Sequence, residues 1–173
     1  MEIERKFIPD KLPDNLDKYP YQIIEQAYIS SNPVIRIRHK TDYNPETDNA
    51  DTHYILTVKS SGMMARQEFE LELSEDSYLN LRTKISGNII SKKRYVIPLD
   101  KGLKLELDIF EGVFDGLIIG EIEFPSEEMA KKYTPPAYLA EEVTYDTRFH
   151  NSTLSNMSEG EISDLIFWIH KHN

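Results

Sequence analysis

The chain has 173 residues, a net charge of −10 and no cysteine, with 39% hydrophobic and 29% charged residues. That length and balance suit one folded domain over residues 1–173 with a buried core. They exclude disulfides and thiolate metal ligands, and so acidic a surface argues against nucleic acid or an anionic membrane as partner. No run approaches the ~20 apolar residues of a membrane span. The opening MEIERKFIPD has no apolar leader core, so a cytoplasmic location is expected.

Charges at every second position run through the first two-thirds of the chain. Residues 2–8 carry Glu2, Glu4 and Lys6 on one side. A second strand is expected over 21–30, followed by a turn at Ser31-Asn32-Pro33. Residues 34–40 set Arg36 and Arg38 against Ile35 and Ile37, and residues 41–52 read as a polar loop, a mobile hairpin tip. Residues 53–59 end on Lys59, and Ser60-Ser61-Gly62 opens a turn before 66–73, where Arg66, Glu68, Glu70 and Glu72 alternate with Phe69, Leu71 and Leu73. Ser74 caps an expected helix over 75–86. Strands follow at 92–99, with Lys92 and Arg94 on one face, at 103–110, with Glu106 and Asp108, and at 117–124, with Glu121 and Glu123. Ser126 caps a short helix. Ser158, with Glu161 three residues on, opens the last helix, whose apolar stripe is Ile162, Leu165, Ile166 and Ile169.

About eight strands with short connections imply antiparallel pairing. Each strand alone is explained by one apolar and one wet face. The set is sorted by sign, however: Arg36/Arg38, Lys59 and Lys92/Arg94 are cationic, and Glu2/Glu4, Glu106/Asp108 and Glu121/Glu123 are anionic. Closed into a barrel, the strands would turn both signs inward, with the apolar face outside under the helices. A wet lumen with both signs fits a polyphosphate gripped by Lys and Arg and bridged to the carboxylates by hard cations, Mg²⁺ or Mn²⁺. His39, His53 and His150 lie on separate segments without ligand spacing.

The order of these segments resembles the CYTH superfamily, the triphosphate tunnel metalloenzymes. Glu2-Ile-Glu4-Arg-Lys6 matches its Glu-x-Glu-x-Lys signature. Arg36-Ile-Arg38, Lys59, Glu68-Phe-Glu70, Lys92-Lys-Arg94, Glu106-Leu-Asp108 and Glu121-Ile-Glu123 follow as its successive tunnel strands, and residues 142–154 resemble its C-terminal Glu-Val-Thr-x-Asp-x-Arg-Tyr-x-Asn stretch. Phe149 and His150 depart from that last pattern. The resemblance implies a β-rich α+β fold, an eight-stranded antiparallel tunnel with helices packed outside. It implies Glu2, Glu4, Asp108, Glu121 and Glu123 as metal ligands, and Lys6, Arg36, Arg38, Lys59, Lys92, Arg94 and Arg148 as the triphosphate grip. Catalytic roles fall to Glu121 and Glu123, which would orient or deprotonate water, and to Lys92. The expected activity is metal-dependent hydrolysis of inorganic tripolyphosphate to pyrophosphate and phosphate by a monomer or homodimer. Nucleoside triphosphatase, thiamine triphosphatase, class IV adenylate cyclase and a non-catalytic polyphosphate-binding module are the alternatives.

Overall fold

The computed structural model describes residues 1–62 and 64–172. The strands are β1 (Glu2–Ile8), β2 (Tyr21–Ser31), β3 (Val34–Asn44), β4 (Asn49–Lys59), β5 (Ala65–Arg66), β6 (Glu68–Leu73), β7 (Ser86–Pro98), β8 (Lys104–Glu111), β9 (Ile118–Glu123) and β10 (Glu141–Glu142). The helices are α1 (Glu75–Arg82), α2 (Glu127–Lys132), α3 (Asn151–Ser155) and α4 (Glu159–His172). All strand pairs are antiparallel, in the order β10-β1-β9-β8-β7-β2-β3-β4-β6. β5 pairs back onto β1, with Glu2 opposite Arg66. Because β6 lies on β4 and β5 on β1, the segment 65–73 bridges the two ends of the sheet and nearly closes the barrel.

The expected tunnel of eight strands is therefore recognisable inside a ten-stranded sheet. The strand read over 66–73 is interrupted at Gln67, where the chain leaves β1 for β4 and Ser60 and Gln67 bond to each other. β10 adds two residues to the edge of β1, too few for a period-two signal.

Residues 41–52 are not a loop. β3 runs on to Asn44 and β4 starts at Asn49, with Thr41 opposite Thr52 and their hydroxyls 3.1 Å apart. The tip is only residues 45–48, with Asp48 at φ 54. The outer ends of this hairpin are wet, so the strands carry loop-like composition. α1 also stops at Arg82, and β7 begins at Ser86, well before residue 92. Gly87 within it has φ +82, and a Cβ there would come within 2.0 Å of the Ser155 carbonyl oxygen, so the close approach of α3 demands glycine.

The apolar sides face outward and are largely covered, with Phe69 and Leu71 of β6 left exposed. Phe110, Phe114, Ile119, Phe149, Leu154, Ile162, Leu165 and Ile169 form one core under α3 and α4. Phe7, Leu105, Leu107, Ile122, Phe124, Ala130 and Tyr133 form another under α2. Ala27, Ile37 and Tyr78 form a third under α1. All three predicted serine caps are in place, and Ser158 and Glu161 bond each other reciprocally, each at 3.2 Å. No described helix is long and apolar enough to cross a membrane.

Arg5, one residue out of phase with the inward charges, ties three elements together outside. Its guanidinium forks onto Glu142 at 2.9 and 2.7 Å and donates to the Ala130 and Tyr133 carbonyls at the end of α2. Arg5→Ala strands two carbonyls and a carboxylate. We expect it to destabilise the fold by about 2 kcal/mol, read as a lower urea midpoint with an unchanged m-value.

Candidate active site inside the barrel

Side-chain parity on β1, β3, β4, β7, β8 and β9 places the charges in one cavity of about 480 Å³. Glu2, Glu4, Lys6, Arg36, Arg38, Lys59, Arg94, Glu121 and Glu123 all line it. So do Glu68 and Glu70 of β6, Tyr28 of β2, and His150, Asn151 and Ser152 at the start of α3.

Most of the cations are already matched. Lys59 donates to Glu2 at 2.8 and 3.0 Å, and Arg66 reaches the same carboxylate at 3.3 Å. Burial pushes Glu2 up, but Lys59 and Arg66 outweigh it and leave its pKa below the ordinary value. Lys6 and Arg94 each stand 3.3 Å from Glu121. These two cations overcome its burial and hold Glu121 well below the usual carboxylate range. Arg94 also clamps Asp108 through two bonds of 2.6 and 2.8 Å and contacts Glu106.

Two cations are not matched by a carboxylate. Arg36 is buried, and its Nη2 donates to the neutral Thr57 hydroxyl at 3.0 Å while its Nε is buried without a partner. Arg38 donates through Nε and Nη2 to the neutral amide oxygen of Gln26 at 2.9 and 2.7 Å. Burial, then Arg36 and Arg94 beside it, pull Arg38 down to about 9, a measure of how little negative charge surrounds it. Guanidiniums this poorly neutralised are suited to accept an anion.

Two carboxylates show the opposite imbalance. Glu4 and Glu123 sit directly opposite each other across the β1–β9 ladder. Burial and Glu121 raise the pKa of Glu4, and its nearest cations, Arg66 and Lys6, are 3.6 and 3.8 Å away. Burial, Glu2 and Glu106 raise that of Glu123. Opposed like charges destabilise a ladder unless a cation lies between them. Among the described residues no three acidic or imidazole groups are gathered to cage an ion by themselves. The pair fits a hard divalent cation that takes its remaining ligands from phosphate oxygens and water, as such ions do.

Three predicted residues lie elsewhere. Lys92 and Asp108 are fully buried behind the cavity wall, bonded to each other at 2.6 Å. Arg94 in front of them takes the remaining capacity of Asp108, and Lys92 also donates to Asn151 of the cavity lining at 3.4 Å, so both meet the cavity through neighbouring side chains. Arg148 is outside: it is salt-bridged to Asp146 at 2.6 Å and its guanidinium lies 4.6 Å over the Trp168 ring. The motif that suggested it runs from β10 into α3, and while its His150, Asn151 and Ser152 line the cavity, Arg148 turns away to Asp146 and Trp168.

Arg66 and Glu106 also line the cavity; alternation in the sequence gives each a place in a strand but no role. Both share parity with selected neighbours, but the break at Gln67 hides that Arg66 reaches β1 rather than β4. His150 also lines the cavity, and burial, then Lys6 and Arg66, drop its pKa to about 4.

No family model matches the chain. A protein of Nitrosomonas europaea named inorganic triphosphatase is 34% identical over 158 residues, covering 89% of this chain and 96% of that protein. A second of the same name from Acetivibrio thermocellus is 32% identical over 105 residues, covering 60% of this chain and 65% of that one. The crystal structure of the inorganic triphosphatase NE1496 superposes with a TM-score of 0.63 at 30% identity, covering 91% of this chain and 96% of that one. With the tunnel strands in their order and both signs of charge turned inward, the chain belongs to the CYTH-type family of triphosphate tunnel enzymes that includes these inorganic triphosphatases.

Proposed function

We propose that the protein hydrolyses the terminal phosphoanhydride of inorganic tripolyphosphate, releasing pyrophosphate and phosphate, with Mg²⁺ or Mn²⁺. One observation supports this reading: the cavity holds two guanidiniums bonded to neutral side chains, Arg36 and Arg38, and two opposed carboxylates that are poorly compensated, Glu4, with Arg66 and Lys6 only at 3.6 and 3.8 Å, and Glu123, beside Glu2 and Glu106. A metal–polyphosphate complex supplies both missing charges at once. The rings among the described lining residues are Tyr28 and His150, and Tyr28 is only 4% exposed. A lining this polar favours a bare phosphate chain over a base-bearing one.

The residues divide the work as follows. Arg36, Arg38, Lys59 and Lys6 hold the phosphates and offset their charge, which is most of what phosphoryl transfer needs from a protein. Glu123, with its raised pKa, is suited to orient the attacking water and take its proton; Glu121, kept ionised by Lys6 and Arg94, is a poor base and anchors those two cations instead. The water oxygen bonds the terminal phosphorus, the P–O bond to the middle phosphate breaks, and pyrophosphate leaves with the electron pair. The metal, when bound by Glu4 and Glu123, would shield charge on the phosphate oxygens.

Phosphate release from tripolyphosphate, ATP and thiamine triphosphate, with Mg²⁺, with Mn²⁺ and with chelator, tests the proposal. We expect tripolyphosphate to give the highest kcat/KM and chelator to abolish release; tight binding with no release from any of the three overturns hydrolysis. Burial, then Arg36, lowers the Lys59 pKa to about 8. A phosphate-gripping lysine works only protonated, so kcat/KM for tripolyphosphate should fall as pH rises through about 8, and Lys59→Arg should move that limb upward.

A further inference from the structure

Arg38 is held by a side-chain amide. Its partner across the β2–β3 ladder is Gln26, fully buried, where a glutamate of the same shape would make an ion pair. The bonding of this amide has one solution. Arginine carries only donors, so the oxygen of Gln26 must face Arg38, and it accepts both Nε and Nη2 at 2.9 and 2.7 Å. The amide nitrogen then faces Tyr28, two residues along the same face of β2, and donates to its hydroxyl oxygen at 3.3 Å. A hydroxyl that accepts from Gln26 keeps its own proton for another partner, and Tyr28 lines the cavity opposite Arg36 on the ladder. Burial raises the Tyr28 pKa, so the phenol stays neutral and the proton stays on it.

We propose that Gln26 is a positioning residue: its uncharged amide aims two donors into the cavity, the Arg38 guanidinium and the Tyr28 hydroxyl, without cancelling the charge of either wall. The proposal rests on the cavity taking a polyphosphate. Its logic is that of electrostatic preorganisation, in which donors are fixed beforehand and left uncompensated for the ligand. A carboxylate in place of the amide reverses both effects. It neutralises Arg38, and because it offers no donor it turns the Tyr28 hydroxyl away from the cavity to bond itself.

The test is kinetic and calorimetric on Gln26→Glu, Gln26→Met and Tyr28→Phe, with tripolyphosphate as substrate and Mg²⁺ present. Gln26→Glu should raise KM, and Kd measured under non-turnover conditions, by about tenfold or more. Its kcat should change by less than about threefold and its thermal midpoint should not fall, since a buried cation gains a partner. Gln26→Met, which loses the amide but adds no charge, should raise KM less and lower the midpoint. Tyr28→Phe should raise KM by about threefold alone, and by nothing further when added to Gln26→Glu. A wild-type KM and Kd in Gln26→Glu overturns the proposal, as does a KM rise matched by equal loss of thermal stability in both Gln26 variants. Wild-type protein that fails to bind tripolyphosphate at all overturns the substrate reading and this proposal with it; wild-type protein that binds but does not hydrolyse leaves the Kd comparison to decide Gln26 alone.

Discussion

Glu4→Gln is expected to reduce metal-dependent kcat/KM for tripolyphosphate by about a thousandfold while raising the thermal midpoint by about 3 °C. The two effects come from one cause. Glu4 faces Glu123 across the ladder, and burial and Glu121 raise its pKa. An acid whose pKa is raised by folding works against the fold at every pH above its folded pKa, and this penalty disappears below its unfolded value. Neutral glutamine removes the penalty and with it one of the two carboxylates that a cation would bridge. A residue retained for packing alone would lose stability on this change, so the opposite sign of the two effects marks a functional charge. Turnover and the midpoint of a thermal melt without metal are the two readings. Glu121→Gln is the contrast: that carboxylate lies within 3.3 Å of both Lys6 and Arg94, so its loss should lower the midpoint as well as activity.

Arg36→Ala carries the second large effect. Its buried Nε has no partner and its Nη2 meets only the Thr57 hydroxyl. On the proposed reading the charge is held for the polyphosphate. We expect KM for tripolyphosphate to rise about a hundredfold, with a much smaller change in kcat, because the contact is made equally in ground and transition states. Stability should hold or rise, since an uncompensated buried cation is removed. Arg36→Lys should fall between, keeping charge but losing the planar fork. Steady-state kinetics at two ionic strengths check this, the wild type losing more affinity on added salt than Arg36→Ala.

The inward faces were legible because a barrel lumen obeys the same parity as any strand. Glu2, Glu4 and Lys6 could be put on the same inward face as Arg36, Arg38 and Lys59 from alternation, and all six line one cavity. Parity says which side a residue takes but not how deep it lies. Lys92 and Asp108 therefore could not be separated from Arg94, although they sit fully buried behind it. Nor does parity report who pairs with whom. The division into matched and unmatched charges arises because β3 brings Arg38 beside Gln26 while β7 brings Arg94 beside Asp108, and both facts are register. Composition misled over residues 41–52, where Thr41, Asp42, Asp51 and Thr52 are cross-strand pairs on a wet hairpin rather than a loop. The break at Gln67 escaped for a related reason: a strand that changes partners keeps its alternation, and Arg66 stays in phase with Glu68 while pairing with a different neighbour.

If the guanidiniums of Arg36 and Arg38 and the carboxylates of Glu4 and Glu123 are two halves of one site, metal and polyphosphate must strengthen each other's binding. Calorimetric titration of tripolyphosphate into the protein, once with Ca²⁺ in place of the activating ion to suppress turnover and once with chelator, measures this directly. The expected result is at least about tenfold tighter binding with the cation, and loss of that difference in Glu4→Gln. Equal affinity with and without the cation, or a cation effect that persists in Glu4→Gln, would contradict the joining of these groups into one site.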